Sequence, residues 1–153
     1  MNTLLTNMKI ALVQDATLAP YLGDAVEVRE WDPERLPDFD IYCVVLSPRG
    51  VQERAAGVLG IEKTFPVLIV CLVRNFGLPA ALTGADLQDG YGLIKLTDDV
   101  VSVLRGNELS GSVIANSVVL EAASQIGQAL ERSAHVLSAR IEYSGRRRVQ
   151  VNE

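Results

Sequence analysis

The sequence predicts an α/β domain: a five-stranded parallel sheet wound by helices on both faces, flavodoxin-like in its strand order 2-1-3-4-5, with a C-terminal helical extension. Three observations carry this. Four short apolar runs, Met8–Val13 (MKIALV), Ile41–Leu46 (IYCVVL), Pro66–Val73 (PVLIVCLV) and Tyr91–Leu96 (YGLIKL), punctuate the first two-thirds of the chain. The middle two are continuous and β-branched, the pattern of strands buried on both faces. Helix-sized segments separate most of them.

Taken in order, residues 1–7 read as a flexible lead-in and Met8–Val13 as the first strand. Asp15–Leu22 is a short helix stopped at Gly23. Val26–Trp31 (VEVREW) alternates strictly and reads as a half-exposed edge strand. Asp32–Pro37 (DPERLP) is too proline-rich for a full helix. Helices are expected over Val51–Leu59, ended by Gly60, and over Leu78–Leu87. Thr97, Asp98 and Asp99 offer a cap and an acidic first turn to a last helix running to Leu104. The domain then spans 8–106, and the polar stretch 107–112 (NELSGS) is a hinge. Between Val113 and Tyr143 there is no proline and Gly127 is the single glycine. Val113, Leu120, Ile126, Leu130, Leu137 and Ile141 recur at spacings near three, four and seven, so 113–153 is predicted as an amphipathic helical extension with a basic tail. Its apolar stripe would serve as a homodimer interface.

The chain has 153 residues, 48% hydrophobic and 22% charged, enough for a core without disulfides or metal. The lone His135 and two cysteines cannot supply a four-ligand zinc site, and no cofactor is expected. No run approaches the ~20 apolar residues of a membrane span, and the N-terminus lacks a signal-peptide pattern. A cytoplasmic protein with reduced Cys43 and Cys71 is expected. The net charge of −5 is unevenly spread: residues 1–110 carry −6 and residues 111–153 carry +1, with Arg140, Arg146, Arg147 and Arg148 close together near the C-terminus.

In the predicted sheet, ligands would meet the strand tips: Gln14, Asp15, Ser47, Cys71 and Lys95. Asp15, Ser47 and Lys95 could converge there. A hydrolase built on Ser47 would need a nearby base, but Ser47 precedes Pro48 and lies outside any G-x-S-x-G elbow. The turn Q-D-A-T after the first run lacks a phosphate-binding glycine. A non-catalytic protein is expected.

Residues Ala81, Leu82, Gly84, Ala85, Gly90, Tyr91 and Lys95 resemble the A-L-x-x-G-A-x-G-Y-L-x-K-P stretch of bacterial receiver domains, and the continuation RGNELSGSV resembles the LuxR-type response regulators. The resemblance implies a receiver fold over 8–106. It departs at the phosphorylation residues: one carboxylate (Asp15) where a pair is usual, Ser47 in the acceptor slot, Cys71 in the Thr slot, Leu96 for the usual Pro. It therefore implies an atypical, phosphorylation-independent receiver acting through protein–protein contact and dimerisation in transcriptional control, with a protein partner or small-molecule ligand at the strand tips. Gln125–Leu137 (QIGQALERSAHVL) resembles a LuxR-type helix-turn-helix, which would place Arg140 and Arg146–Arg148 near the phosphates of duplex DNA. A single dimerisation helix is the preferred alternative. Lys9–Thr17 (KIALVQDAT) also resembles the receiver-like N-terminal wing of the pyridoxal-phosphate-dependent ornithine, lysine and arginine decarboxylases, which implies an assembly module.

Overall fold

A computed structural model describes residues 1–57, 60–74, 91–122, 127–131 and 134–150, with side chains described except at 122, 127–131, 134, 135 and 150. Its elements are α1 (Asn2–Gln14), α2 (Ala19–Leu22), β1 (Val26–Val28), β2 (Tyr42–Pro48), β3 (Gln52–Ala55), β4 (Gly60–Arg74), α3 (Leu93–Leu104), a 3-10 turn (Ala115–Ser117), β5 (Val119–Ala122), β6 (Gly127–Glu131) and β7 (Ala134–Gln150). They form one mixed sheet in the order β1-β2-β4-β7-β5, with β3 also on β4 and β6 also on β7. Among the described residues only β1 and β2 pair in parallel; every other pairing is antiparallel. The parallel doubly wound sheet expected from the sequence is therefore not this protein's fold.

The spacing of apolar residues explains the first correction. Leu4, Leu5, Met8 and Leu12 fall on one face of a 3.6-residue period, and all four are buried. The run at 8–13 thus belongs to a helix that begins at Asn2, and the expected lead-in forms its first half. Asp15 ends α1 in an extended conformation. Its Oδ2 accepts the N–H groups of Thr17 and Leu18, both at 3.1 Å, and starts the turn into α2. Gly23, at φ 57, stops α2. Tyr91–Leu96 is likewise not a strand: Leu93, Leu96, Val100 and Leu104, spaced three and four apart, make the buried stripe of α3.

β2 and β3 form a single interrupted strand along β4. Residues 49–51 stand opposite only 65–66, because the register passes from Pro48↔Val67 to Gln52↔Thr64. That is a β-bulge with one extra residue, and it reverses which face each side chain takes. Pro66, which has no N–H to give, sits at this break. Its carbonyl accepts Arg49 N–H at 3.1 Å. The segment expected as a helix over 51–59 contains β3 instead, and Ala56 N–H donates to Gly60 O at 2.9 Å; residues 58–59 lie outside the described residues. The expected helix at 78–87 lies outside the described residues.

The sheet buries side chains on both faces, so the continuous apolar runs were rightly read as buried twice over. One face carries Tyr42, Val44, Leu46, Val67, Ile69, Cys71, Val73, Leu137, Ile141 and Tyr143 and packs on α1, α2 and α3. The other carries Cys43, Val45, Leu68, Val70, Leu72 and Val136, covered in part by Trp31, Leu36 and Phe39 from the connection between β1 and β2. Arg74 ties that connection down. Its guanidinium donates to the carbonyls of Phe39 and Asp40 at 2.8 Å and lies 4.7 Å from the Phe39 ring centre.

Residues 113–150 are not a helical extension. They contribute β5, β6 and the 17-residue β7, which pairs with β4 over its whole length, from Gly60↔Gln150 to Arg74↔Val136. The stripe that suggested a helix is divided between elements. Leu137 and Ile141 are buried in the core from β7, and Val113 is buried in the turn before β5. Leu120 packs against that core from β5. The side chains of Ile126 and Leu130 lie outside the described residues. Residues 107–112 form a compact turn held from α1: Asn7 Nδ2 donates to Leu109 O at 3.1 Å and to Ser112 Oγ at 2.8 Å. Leu109 and Ser110 take positive φ there, 51° and 57°, a strained conformation for non-glycine residues.

Candidate functional site

The residues assigned to a receiver-like pocket do not come together. Gln14 and Asp15 end α1, and Asp15 is engaged in the α2 turn. Ser47 is buried on β2, on the sheet face opposite α1 and α3, where its Oγ accepts Trp31 N–H at 3.0 Å. Cys71 is buried on the other face, beneath α3, and Lys95 is exposed on α3 itself. The convergence assumed that each preceded a parallel crossover; β2 and β4 run antiparallel, so their carboxyl ends lie at opposite ends of the sheet, and the alternation of side chains along each strand sends Ser47 and Cys71 to opposite faces. The same rule separates Cys43 from Cys71, which are both free and buried. Burial pushes each thiol up to about 12, so both stay protonated and inert at neutral pH.

The arginines singled out from the sequence lie on β7, not on a recognition helix. Alternation puts Arg140, Arg146 and Arg148 on one sheet face and Arg147 on the other, 5.6 Å from the Phe65 ring centre. Register supplies what the sequence did not show. Arg148 stands opposite Glu62, which stands opposite Arg54 on β3; Arg146 stands opposite Thr64, which stands opposite Gln52. Glu62 Oε1 accepts from Arg54 at 3.2 Å and from Arg146 at 3.4 Å. Its side chain is only 12% exposed, enclosed by these cations. Gln52, Arg54, Glu62, Thr64 and Arg146 line a shallow cleft of about 290 Å³. β3 with the adjoining ends of β4 and β7 forms a polar three-stranded arm. Within β3, 60–64 and 144–150 it carries five basic and two acidic residues, a net +3.

The opposite end of the sheet is acidic. Residues 24–40 hold seven Asp or Glu and two Arg, a net −5 that equals the charge of the whole chain. A cleft of about 510 Å³ opens there, where β1, β2 and α2 meet. Asp24, Glu27, Asp38 and Asp40 supply its charge, and Tyr21, Phe39 and Tyr42 its aromatic walls. Glu27 pairs with Arg29 at 3.5 Å. Among the described residues, Asp24, Asp38 and Asp40 have no ion-pair partner. The walls are rigid. Tyr21 and Tyr91 stack with ring centres 3.8 Å apart, and Tyr42 meets both rings edge-on. Tyr42 OH donates to Tyr91 O at 2.5 Å, and Tyr91 OH donates to Asp99 Oδ2 at 2.6 Å. Burial, and then the Asp99 carboxylate, hold the Tyr91 phenol well above its ordinary range.

Among the described residues, no three or more His, Cys, Asp or Glu side chains are grouped to hold a metal ion, and no helix is long and apolar enough to cross a membrane. No protein-family model matches the chain, and no curated protein matches it.

Proposed function

We propose that this chain is a non-catalytic assembly module that acts through protein–protein contact and associates with itself, with a pair of identical chains as its smallest working unit. The observation that carries this reading is the segregation of charge along the sheet: Asp24, Glu27, Asp38 and Asp40 line the cleft at one end, and the arm at the other carries a net +3. Glu62, in the arm, and Val73, which pairs with Tyr42 beside the acidic cleft, are eleven residues apart on β4. At ~3.3 Å per residue the two ends are about 36 Å apart, several times the screening length of ~8 Å at physiological salt. The two ends therefore cannot neutralise each other within one chain, and a second copy can bring them together.

The regulatory reading that accompanied the receiver resemblance has no support in a mixed antiparallel sheet. The decarboxylase-wing alternative rested on the same receiver-like fold and loses its ground with it.

Light scattering across a concentration series tests the proposal. Association is expected by about 100 µM at low salt, which corresponds to about −5.4 kcal/mol. It should weaken as salt rises from ~0.1 to ~1 M and the screening length falls from about 10 to about 3 Å. A monodisperse monomer throughout that range contradicts it.

A further inference from the structure

Resting on self-association, we infer that the contact is head-to-tail: the basic arm of one chain docks in the acidic, aromatic-walled cleft of a second copy. The arm presents Arg54, Arg146 and Arg148 on one face, and only Glu62 among them to balance three guanidiniums. The cleft presents Asp24, Asp38 and Asp40, whose carboxylates have no ion-pair partner among the described residues. Its carboxylates suit planar guanidinium groups, which pair with them in bidentate fashion. The cleft is also wide enough at about 510 Å³ to take more than one such group.

Shape agrees with charge. The arm is a three-stranded sheet end, and all four β3 residues are exposed. The outer edge of β3 pairs with no strand among the described residues. An arm and a cleft are different surfaces, so the contact is heterologous: each docked pair keeps one free arm and one free cleft, and association continues past the dimer.

Charge reversal on each surface separates this inference from the broader proposal. Arg54→Glu with Arg148→Glu reverses the arm while leaving Arg146 to pair with Glu62. Asp38→Arg with Asp40→Arg reverses the cleft at two exposed side chains. Each double variant alone should weaken self-association at least ~10-fold, since like charges would face each other across the contact. Mixing the two should restore association, because the basic arm of the cleft-reversed chain meets the acidic cleft of the arm-reversed chain. The milder pair Arg54→Gln with Arg148→Gln should weaken association in the same direction, and far-UV circular dichroism should match wild type in every case. If wild type associates and neither reversal weakens it, the head-to-tail contact is wrong and self-association stands. If each reversal abolishes association and mixing does not restore it, the contact is not arm-in-cleft. If wild type is monomeric at low salt, both fall together.

Discussion

Replacing Leu5 by alanine distinguishes this fold from the one the sequence suggested. Leu5 is 3% exposed on α1, within the cluster that joins α1 to the sheet and to α3. In the receiver-like reading it belonged to a flexible lead-in, where truncation would cost nothing. Leu→Ala removes three carbons, about 2.4 kcal/mol of transfer free energy at ~0.8 kcal/mol each. A residual cavity under a helix fixed at both ends raises the cost to about 3–4 kcal/mol. For a chain of this length each kcal/mol lowers Tm by roughly 2–4 °C, so a fall of roughly 6–16 °C is expected. Urea unfolding should be followed by far-UV circular dichroism and by the fluorescence of Trp31, the single tryptophan. Trp31 packs on the sheet face opposite α1, so coincident shifts in both signals would show one cooperative unit spanning both faces. Thr6→Ala, on the exposed side of the same helix, is the control and should stay within about 0.5 kcal/mol of wild type. A Leu5→Ala loss below about 0.5 kcal/mol would refute the packing of α1 against the sheet.

Three further outcomes follow from particular contacts. A Cβ on Gly145 would lie 2.8 Å from both Val113 Cγ1 and Tyr143 Oη, so Gly145→Ala should cost about 1–3 kcal/mol in urea unfolding. Asn7→Ala removes two bonds to the 109–112 turn and leaves Leu109 O without that donor; a loss of about 1–3 kcal/mol is expected, with faster proteolytic cleavage near Ser110. Burial raises the thiols of Cys43 and Cys71 from 9.0, and the Tyr143 phenol from 10.0, each to about 12. Between those values the unfolded chain releases protons that the folded chain keeps, so stability should be level up to about pH 9 and fall from there toward pH 12. A disulfide-exchange thiol reagent should react with neither cysteine until unfolding, and stability still level at pH 11 would contradict the burial.

The sequence revealed burial better than it revealed direction. Pro66–Val73 and Ile41–Leu46 were legible as strands covered on both faces, and Val26–Trp31 as an edge strand in its first three residues alone, because continuous and alternating apolar patterns report burial on two faces or one. Neither pattern carries the sense of the neighbouring strand. Parallel pairing was supplied by the helix expected over 51–59; the bulge at 49–51 and β3, antiparallel on β4, stand in its place. At the N-terminus, Met8–Val13 is short enough to satisfy a strand pattern, and the helical period appears only when Leu4 and Leu5 are included with Met8 and Leu12.

The C-terminal third shows the same ambiguity from the other side. The absence of proline between 113 and 143, and apolar spacings near three and four, are compatible with a helix. Yet Leu137, Ala139, Ile141 and Tyr143 alternate strictly with Ser138, Arg140 and Glu142, a period of two sustained along one buried face. Apolar positions from β5, β6 and β7, each with its own short period, imitate a longer one when they are counted together. The candidate surfaces were less legible still. The basic tail could be read from composition, but its meaning comes from register: a constant pairing of β4 with β7 sets Arg148 against Glu62, and β3 sets Arg54 there from a segment ninety-four residues earlier. No local pattern announces that meeting. It follows only once β7 is a strand, and it converts a tail that looked suited to nucleic acid into one face of an arm whose complementary charge is carried by the same chain, a sheet's length away.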